Sequence, residues 1–254
     1  MDIEYNLLLN VESQAAMVGS NSILKIKKGN SIGMGYRFSF GVVWDNLPIL
    51  LSGLGVTFLV AFVALAMGLV IGTAFGVMRT SRSRLSQGAA AAYVSVFRNT
   101  PTLVQLIWVY YCLPIFLGIE LSSIASCTIA LGLGAGAYTA EIIRGGIQGI
   151  DRGQWEAAAT IGLSRFETMR KIILPQALRK MIAPLVNEIV SLVKFSSLVS
   201  ILGVEDLTYV AQLLATTTFR PIELYTFLGL EYYVICTALS YLAAMIERKL
   251  ARKD

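Results

Sequence analysis

Two groups of residues in this 254-residue chain have the types and spacing to do something specific. The first is Asn187, Glu188, Ser191 and Lys194, polar side chains set in the otherwise apolar stretch 176–202. At about 100° per residue they fall within roughly a 120° arc of one helix, with Pro184 on the same side. Such a stripe can hold a small zwitterion. Glu188 would take an ammonium group, Asn187 and Ser191 would supply hydrogen bonds, and Lys194 would take a carboxylate. The competing account is a buried Glu188 that merely pairs with Lys194 or with a basic group on a neighbouring helix. Glu141, with Arg144 three residues later on the same helix face, fits a local ion pair better than a ligand contact.

The second group is the segment 151–175, DRGQWEAAATIGLSRFETMRKIILP. Glu156, Ala157, Ala158 and Ala159 are good helix formers. Gly162 is placed to end that helix, because glycine enters left-handed geometry cheaply. Ser164 can cap a following helix, with Glu167 as the capping-box partner three residues on. Pro175 marks the entry into the next apolar stretch. The expectation is two short helices separated by a glycine.

Other chemistry is excluded by what the chain lacks. It has no histidine, which removes Ser-His and Cys-His triads and the commonest zinc ligand. Cys112, Cys127 and Cys236 fall in apolar segments without metal-ligand spacing. No GxxxxGK[ST] phosphate cradle occurs anywhere. No catalytic residue, metal site or cofactor bound by this chain is expected.

The elements that must position these residues are membrane helices. Hydrophobic residues make up 56% and charged ones 15%, with mean hydropathy +0.67. A soluble domain carries about 25% charged residues. Stretches of about 20 apolar residues, enough to cross a bilayer, run over 47–78, 122–143, 176–202 and 222–246. A further one covers 85–117 and is interrupted by Arg98-Asn99-Thr100-Pro101, where proline predicts a kink. In the first stretch Ala64, Gly68, Gly72 and Gly76 repeat every fourth residue, a stripe on which another helix backbone can approach closely.

Basic residues set the orientation. Arg79, Arg82 and Arg84, then Arg152, Arg165, Arg170, Lys171, Arg179 and Lys180, then Arg248, Lys249, Arg252 and Lys253, all fall on one side. The opposite loops hold Glu120, Glu205, Asp206 and Glu223 with Arg220. The positive-inside rule then gives an all-α membrane protein of five transmembrane helices, N-out/C-in. Its loop 151–175, between spans three and four, lies in the cytoplasm. Residues 1–44 read as an extramembrane tail, not a secretory signal, and 45–254 as the membrane domain.

Glu156-Ala157-Ala158, Gly162 six residues after the glutamate, and then Ile172, Leu174 and Pro175 resemble the EAA loop of ABC importer permeases. Arg98-Asn99-Thr100-Pro101 with Leu103-Val104-Gln105, Ala137-Tyr138 with Glu141-Ile142, and Leu192-Val193-Lys194 with Ser197-Leu198 look like the polar amino-acid uptake branch. The likeness runs from about Trp44 to the C-terminus. It departs at Lys194-Phe195-Ser196-Ser197, where the branch has a polar residue directly after the lysine.

The resemblance implies a permease subunit of the inner (plasma) membrane that translocates a polar amino acid delivered by an extracytoplasmic binding protein. Its loop, through Glu156, Ala157, Ala158 and Gly162, would dock on cytoplasmic ATPase subunits, which carry the ATP and Mg. A second permease chain, identical or homologous, would complete the pathway within membrane lipid, and no nucleic-acid partner is expected. Two alternatives stay open at this point: another cargo, such as an opine or an amino-acid-derived osmolyte, and an ion-coupled carrier working without ATP.

Overall fold

Pro48 sits in the first turn of the first long helix, where its missing N–H leaves no bond unmade. In the computed structural model, which describes residues 36–81 and 83–251, this helix runs on for 34 residues. Most of the expected tail, residues 1–35, lies outside the described residues, as do Arg82, Arg252 and Lys253.

The helices are α1 (Gly41–Asp45), α2 (Leu47–Thr80), α3 (Arg84–Asn99), α4 (Thr102–Leu117) and α5 (Ser123–Gln148). Then follow α6 (Arg152–Thr160), α7 (Arg165–Leu202), α8 (Leu207–Thr218) and α9 (Pro221–Ala251). By length and composition α2, α5, α7 and α9 can each cross a bilayer. α3 and α4 pass the same test only as a pair, bent by 106°, which gives up to five spans if the pair counts as one.

The bend falls at the Thr100-Pro101 step, where proline ends the α3 ladder. Backbone carbonyls freed at a broken helix inside a membrane need new donors. Gln105 provides them: its Nε2 donates to Phe97 O at 2.8 Å, Thr100 O at 3.0 Å and Thr100 Oγ1 at 2.8 Å.

The predicted small-residue stripe is the contact between α2 and α5. A Cβ added to Gly68 would lie 2.6 Å from Ala135 Cβ, one on Gly72 2.4 Å from Thr139 Cβ, and one on Gly76 2.9 Å from Ile143 Cβ. The numbers climb together in both helices, so α2 and α5 run parallel. The α3–α4 pair must therefore carry the chain back between them, which is why it counts as one span. Around this contact Val60, Ala64, Leu131, Ala135, Leu192 and Val193 form the main core, fully or nearly buried.

Three observations differ from expectation. The predicted second short helix of the 151–175 segment is not separate: α7 starts at Arg165 and continues through Pro175 into the membrane span, with a widened π turn at Met169–Ile173 just ahead of the proline. Val43 of α1, within the expected tail, is buried against Leu207, Leu214 and Leu224. Asp206 and Glu223, expected in the loops of the opposite side, are both fully buried.

Asp206 caps α8 by accepting from Tyr209 N at 2.9 Å, and Glu223 pairs with Arg220 at 3.4 Å. The Asp206 cap also seats against α2. Leu207 N donates to Thr57 Oγ1 at 3.2 Å, and a Cβ on Gly53 would lie 2.5 Å from the Asp206 carbonyl carbon.

Because the Gly72 space is filled by Thr139 side chain and Gly136 backbone, Gly72→Val should force α2 and α5 apart. Overpacking of this kind costs about 1–3 kcal/mol. A lowered melting temperature of the detergent-purified protein, with Gly55→Ala unchanged because a Cβ there meets nothing, is the expected result; equal melting of both variants and wild type would contradict the α2–α5 packing.

Candidate functional site

The segment between α5 and the span of α7 folds into a braced hairpin. Asp151 caps α6 by accepting from Gly153 N at 2.7 Å. At the other end Gly162 takes φ 78°, and two bonds close the helix: Leu163 N to Ala158 O at 3.1 Å and Gly162 N to Ala159 O at 3.0 Å. This is a Schellman cap, which requires a residue in left-handed geometry at that position. The predicted capping box is present at the start of α7. Ser164 Oγ accepts from Glu167 N at 3.3 Å, and Ser164 N donates to Glu167 Oε2 at 3.2 Å.

One face of α6 rests on α7. Ala158 is 1% exposed, and Trp155, three residues earlier on the same face, packs against the cluster of Ile147, Ile150, Ile173, Ala177 and Met181. Gln176 Nε2 donates to Gln154 Oε1 at 3.1 Å, and Lys180 Nζ to Gly149 O at 2.7 Å. Of the four residues expected to couple, Glu156, Ala157 and Gly162 are exposed, while Ala158 faces inward. The helical period dictates this, since Ala158 must share the face of Trp155.

Sequence reasoning missed Ile161 and Phe166, which are 72% and 73% exposed on either side of the glycine turn. Bulky apolar residues flanking a turn in a charged loop were the available signal.

The α7 stripe is split by the fold. Glu188 points inward, is 8% exposed, and has no ion pair or hydrogen bond among the described residues. It lines a narrow crevice with Phe97, Gln105, Tyr138 and Phe195. Gln105 Oε1 is buried and likewise without a donor. Two acceptors facing one crevice suit a hydrogen-bond donor, above all an ammonium group. Gln105 belonged to the sequence pattern but not to the expected site; its place in the Glu188 crevice depends on long-range packing.

Asn187 and Lys194 are exposed, and Ser191 lies partly so, its Oγ donating to Asn187 O at 3.1 Å. Lys194 opens onto a different cleft of about 580 Å³ lined by Ser197, Tyr233, Thr237 and Ser240. The Glu188–Lys194 ion pair is therefore not formed, because six residues along a helix set the two side chains about 120° apart.

Glu141 is the centre of a larger ion cluster than its local partner suggested. Arg144 Nη2 approaches it at 2.7 Å, Arg79 Nη2 at 3.0 Å and Arg98 Nη1 at 3.7 Å. Arg98 also stacks over the Tyr138 ring at 5.3 Å. This ties the ends of α2 and α3 to α5. Among the described residues no group of His, Cys, Asp and Glu could hold a metal ion.

Comparison with known proteins accords with this architecture. The probable amino-acid ABC transporter permease protein YckA of Bacillus subtilis is 36% identical over 222 residues, covering 87% of this chain and 98% of that protein. The glutamine transport system permease protein GlnP of Escherichia coli K12 is 34% identical over 215 residues, 84% of this chain and 98% of its own. The arginine transport system permease protein ArtQ of Bacillus subtilis is 35% identical over 218 residues, 86% of this chain and all of that one. A crystal structure of an amino acid ABC transporter with histidines superposes with TM-score 0.80 and 33% identity, over 84% of this chain and 99% of that one. Residues 67–252 match the binding-protein-dependent transport system inner membrane component family, and by that match the chain belongs to this family of inner-membrane permeases.

Proposed function

We propose that the chain is the permease subunit of an ATP-driven importer for a polar amino acid. The observation that carries this is the coupling hairpin. It is a short helix held rigidly on α7, displaying Glu156, Ala157, Ile161 and Phe166, in a chain with no phosphate cradle of its own. Energy must then arrive from a partner. Cytoplasmic ATPase subunits carrying ATP and Mg, a binding protein on the far side and a second permease chain complete the assembly. Relatives named for glutamine and arginine support the cargo class. The hairpin and its family match speak against a carrier that works without ATP.

Within the membrane the substrate's ammonium group is read as docking at Glu188 and Gln105. Asn187, Ser191 and Lys194 line the exposed side of the same helix, where the second chain and the translocation path are expected. A partnerless carboxylate in a span costs several kcal/mol unless a ligand or cavity compensates it, which supports a role in substrate contact.

The distribution of basic residues and the parallel α2–α5 pair support the five-span, N-out/C-in arrangement. Cysteines placed at Arg165 and at Glu205 should label from opposite faces of the membrane, Arg165 only from the cytoplasm. Labelling of both from one face would overturn the arrangement.

Gly162→Val puts a β-branched side chain at φ 78°, a strain of order 1–3 kcal/mol on the cap. Transport and substrate-stimulated ATP hydrolysis in proteoliposomes should fall together while insertion persists, and Glu156→Lys should act alike through the contact. Normal transport by both variants would remove the hairpin from the coupling path.

Glu188→Gln keeps size and hydrogen bonding but removes the charge. Assembly and basal ATP hydrolysis should be retained and ATP-dependent uptake should drop at least about tenfold, the loss of one charge-assisted contact. Wild-type uptake by this variant would rule out the ammonium contact.

A further inference from the structure

Where α2 ends and α3 begins, beside the last turns of α5, lies an open pocket of about 470 Å³ lined by Arg79, Arg84 and Arg144 with Gln87 and Gln148. No carboxylate lines it among the described residues. An adjoining pocket of about 460 Å³ shares Arg79 and Ala91 with it and adds Arg98 and Glu141. Three guanidiniums thus share the Glu141 carboxylate, with Arg84 beside them in the first pocket, so the four arginines carry three more positive charges than that one carboxylate offsets.

Arg79 uses Nη2 on Glu141, while its Nε is buried without any acceptor. Arg144 Nη1 donates to Gln148 Oε1 at 2.6 Å, which leaves the amide nitrogen of Gln148 as a further donor. Arg84 is exposed and has no partner among the described residues. Guanidiniums removed in part from water need an anion with several acceptor oxygens, and phosphate geometry matches their fork.

We propose that this pocket binds a phosphate-bearing anion, and that its occupant is the headgroup of an acidic phospholipid. Three features favour a lipid over free phosphate. The pocket closes the end of a membrane span, α2. Leu85, next to Arg84, is 85% exposed, an apolar surface beside the charge as an acyl chain requires. The pocket also lies at the end of the bundle that carries the coupling hairpin, since Gln148 is four residues ahead of Arg152. That is the cytoplasmic end of the proposed topology, where basic pockets between helices meet anionic headgroups. A bound headgroup would join the α2–α3 junction to the last turn of α5 and complete the charge balance around Glu141.

The test uses the purified, assembled transporter in nanodiscs of phosphatidylcholine with a minor share of phosphatidylglycerol, with retained lipid counted by native mass spectrometry. Wild type should retain phosphatidylglycerol in preference to phosphatidylcholine. Arg84→Gln should weaken this about tenfold, Arg84→Lys should restore part of it, and Arg152→Gln should change nothing. Since Arg84 holds no partner, an unchanged melting temperature in pure phosphatidylcholine discs checks the fold.

Inorganic phosphate and methyl phosphate, titrated into both kinds of disc, identify the source. Failure of either to displace phosphatidylglycerol supports the lipid. Displacement by inorganic phosphate, with binding of phosphate in pure phosphatidylcholine discs, overturns the lipid assignment. Equal phosphatidylglycerol retention by wild type and Arg84→Gln, or an equal loss with Arg152→Gln, overturns the pocket altogether.

Discussion

The parallel contact of α2 with α5 is the constraint from which the other positions follow. In a bilayer, helix association gains little from the hydrophobic effect and relies on close packing and polar contacts. Gly68, Gly72 and Gly76 supply the closeness by admitting Ala135, Thr139 and Ile143 where their own side chains would be. Gly136 admits both Ile71 of α2 and Tyr93 of α3. A Cβ there would meet Tyr93 Oη at 2.6 Å, and that hydroxyl donates to Leu133 O at 2.6 Å. α5 is thus thin where α2 and α3 both settle against it. Lengthening any of these side chains would move the arginines and the crevice together.

The closeness has an electrostatic consequence. Arg79 follows Gly76 by one turn and Glu141 lies between Thr139 and Ile143, so the α2–α5 register itself delivers the guanidinium to the carboxylate at 3.0 Å. Arg98 arrives at the same carboxylate from the other side because the α3 helix ends there, at the break that Gln105 seals. Glu141 is partly exposed, its side chain at 16%, so it is not stranded in hydrocarbon and several cations can share it. The same Gln105 then presents its unpaired Oε1 to the Glu188 crevice. One amide therefore seals the backbone break and helps to build the polar crevice.

What was legible in the sequence was what depends on local spacing. Gly162 in left-handed geometry, the Ser164–Glu167 capping box, the kink at Pro101 and the four-residue small stripe all follow from residues close in the chain. What was not legible depends on distant residues meeting. Lys194 and Glu188 lie on one helical arc by projection, yet neighbours on opposite sides of α7 separate them into two cavities. α8 went unassigned because its polar cap, Asp206, reads as a loop charge until Thr57 and Gly53 of α2 are seen beside it. Ala158 shares the motif with Glu156 and Ala157, but the motif does not say which face is turned inward; Trp155 does.

The placement of Pro184 connects the two functional regions. It lies within α7 and cannot donate to the carbonyl of Lys180, so the ladder is weakened between those turns. Ahead of it, α7 is fastened to the hairpin by Ile173, Ala177 and Met181 in the Trp155 cluster and by the Gln176 and Lys180 side chains. Beyond it, Leu192 and Val193 are locked in the core with Leu131 and Ala135 of α5. Glu188 sits one turn after the proline, between the two anchors. A load applied to α6 reaches the first anchor through packed side chains, whereas the second resists because interiors of this density deform little. On the proposed coupling role, such a load would be taken up in the stretch that holds both the missing backbone bond and the unpaired carboxylate, next to Glu188.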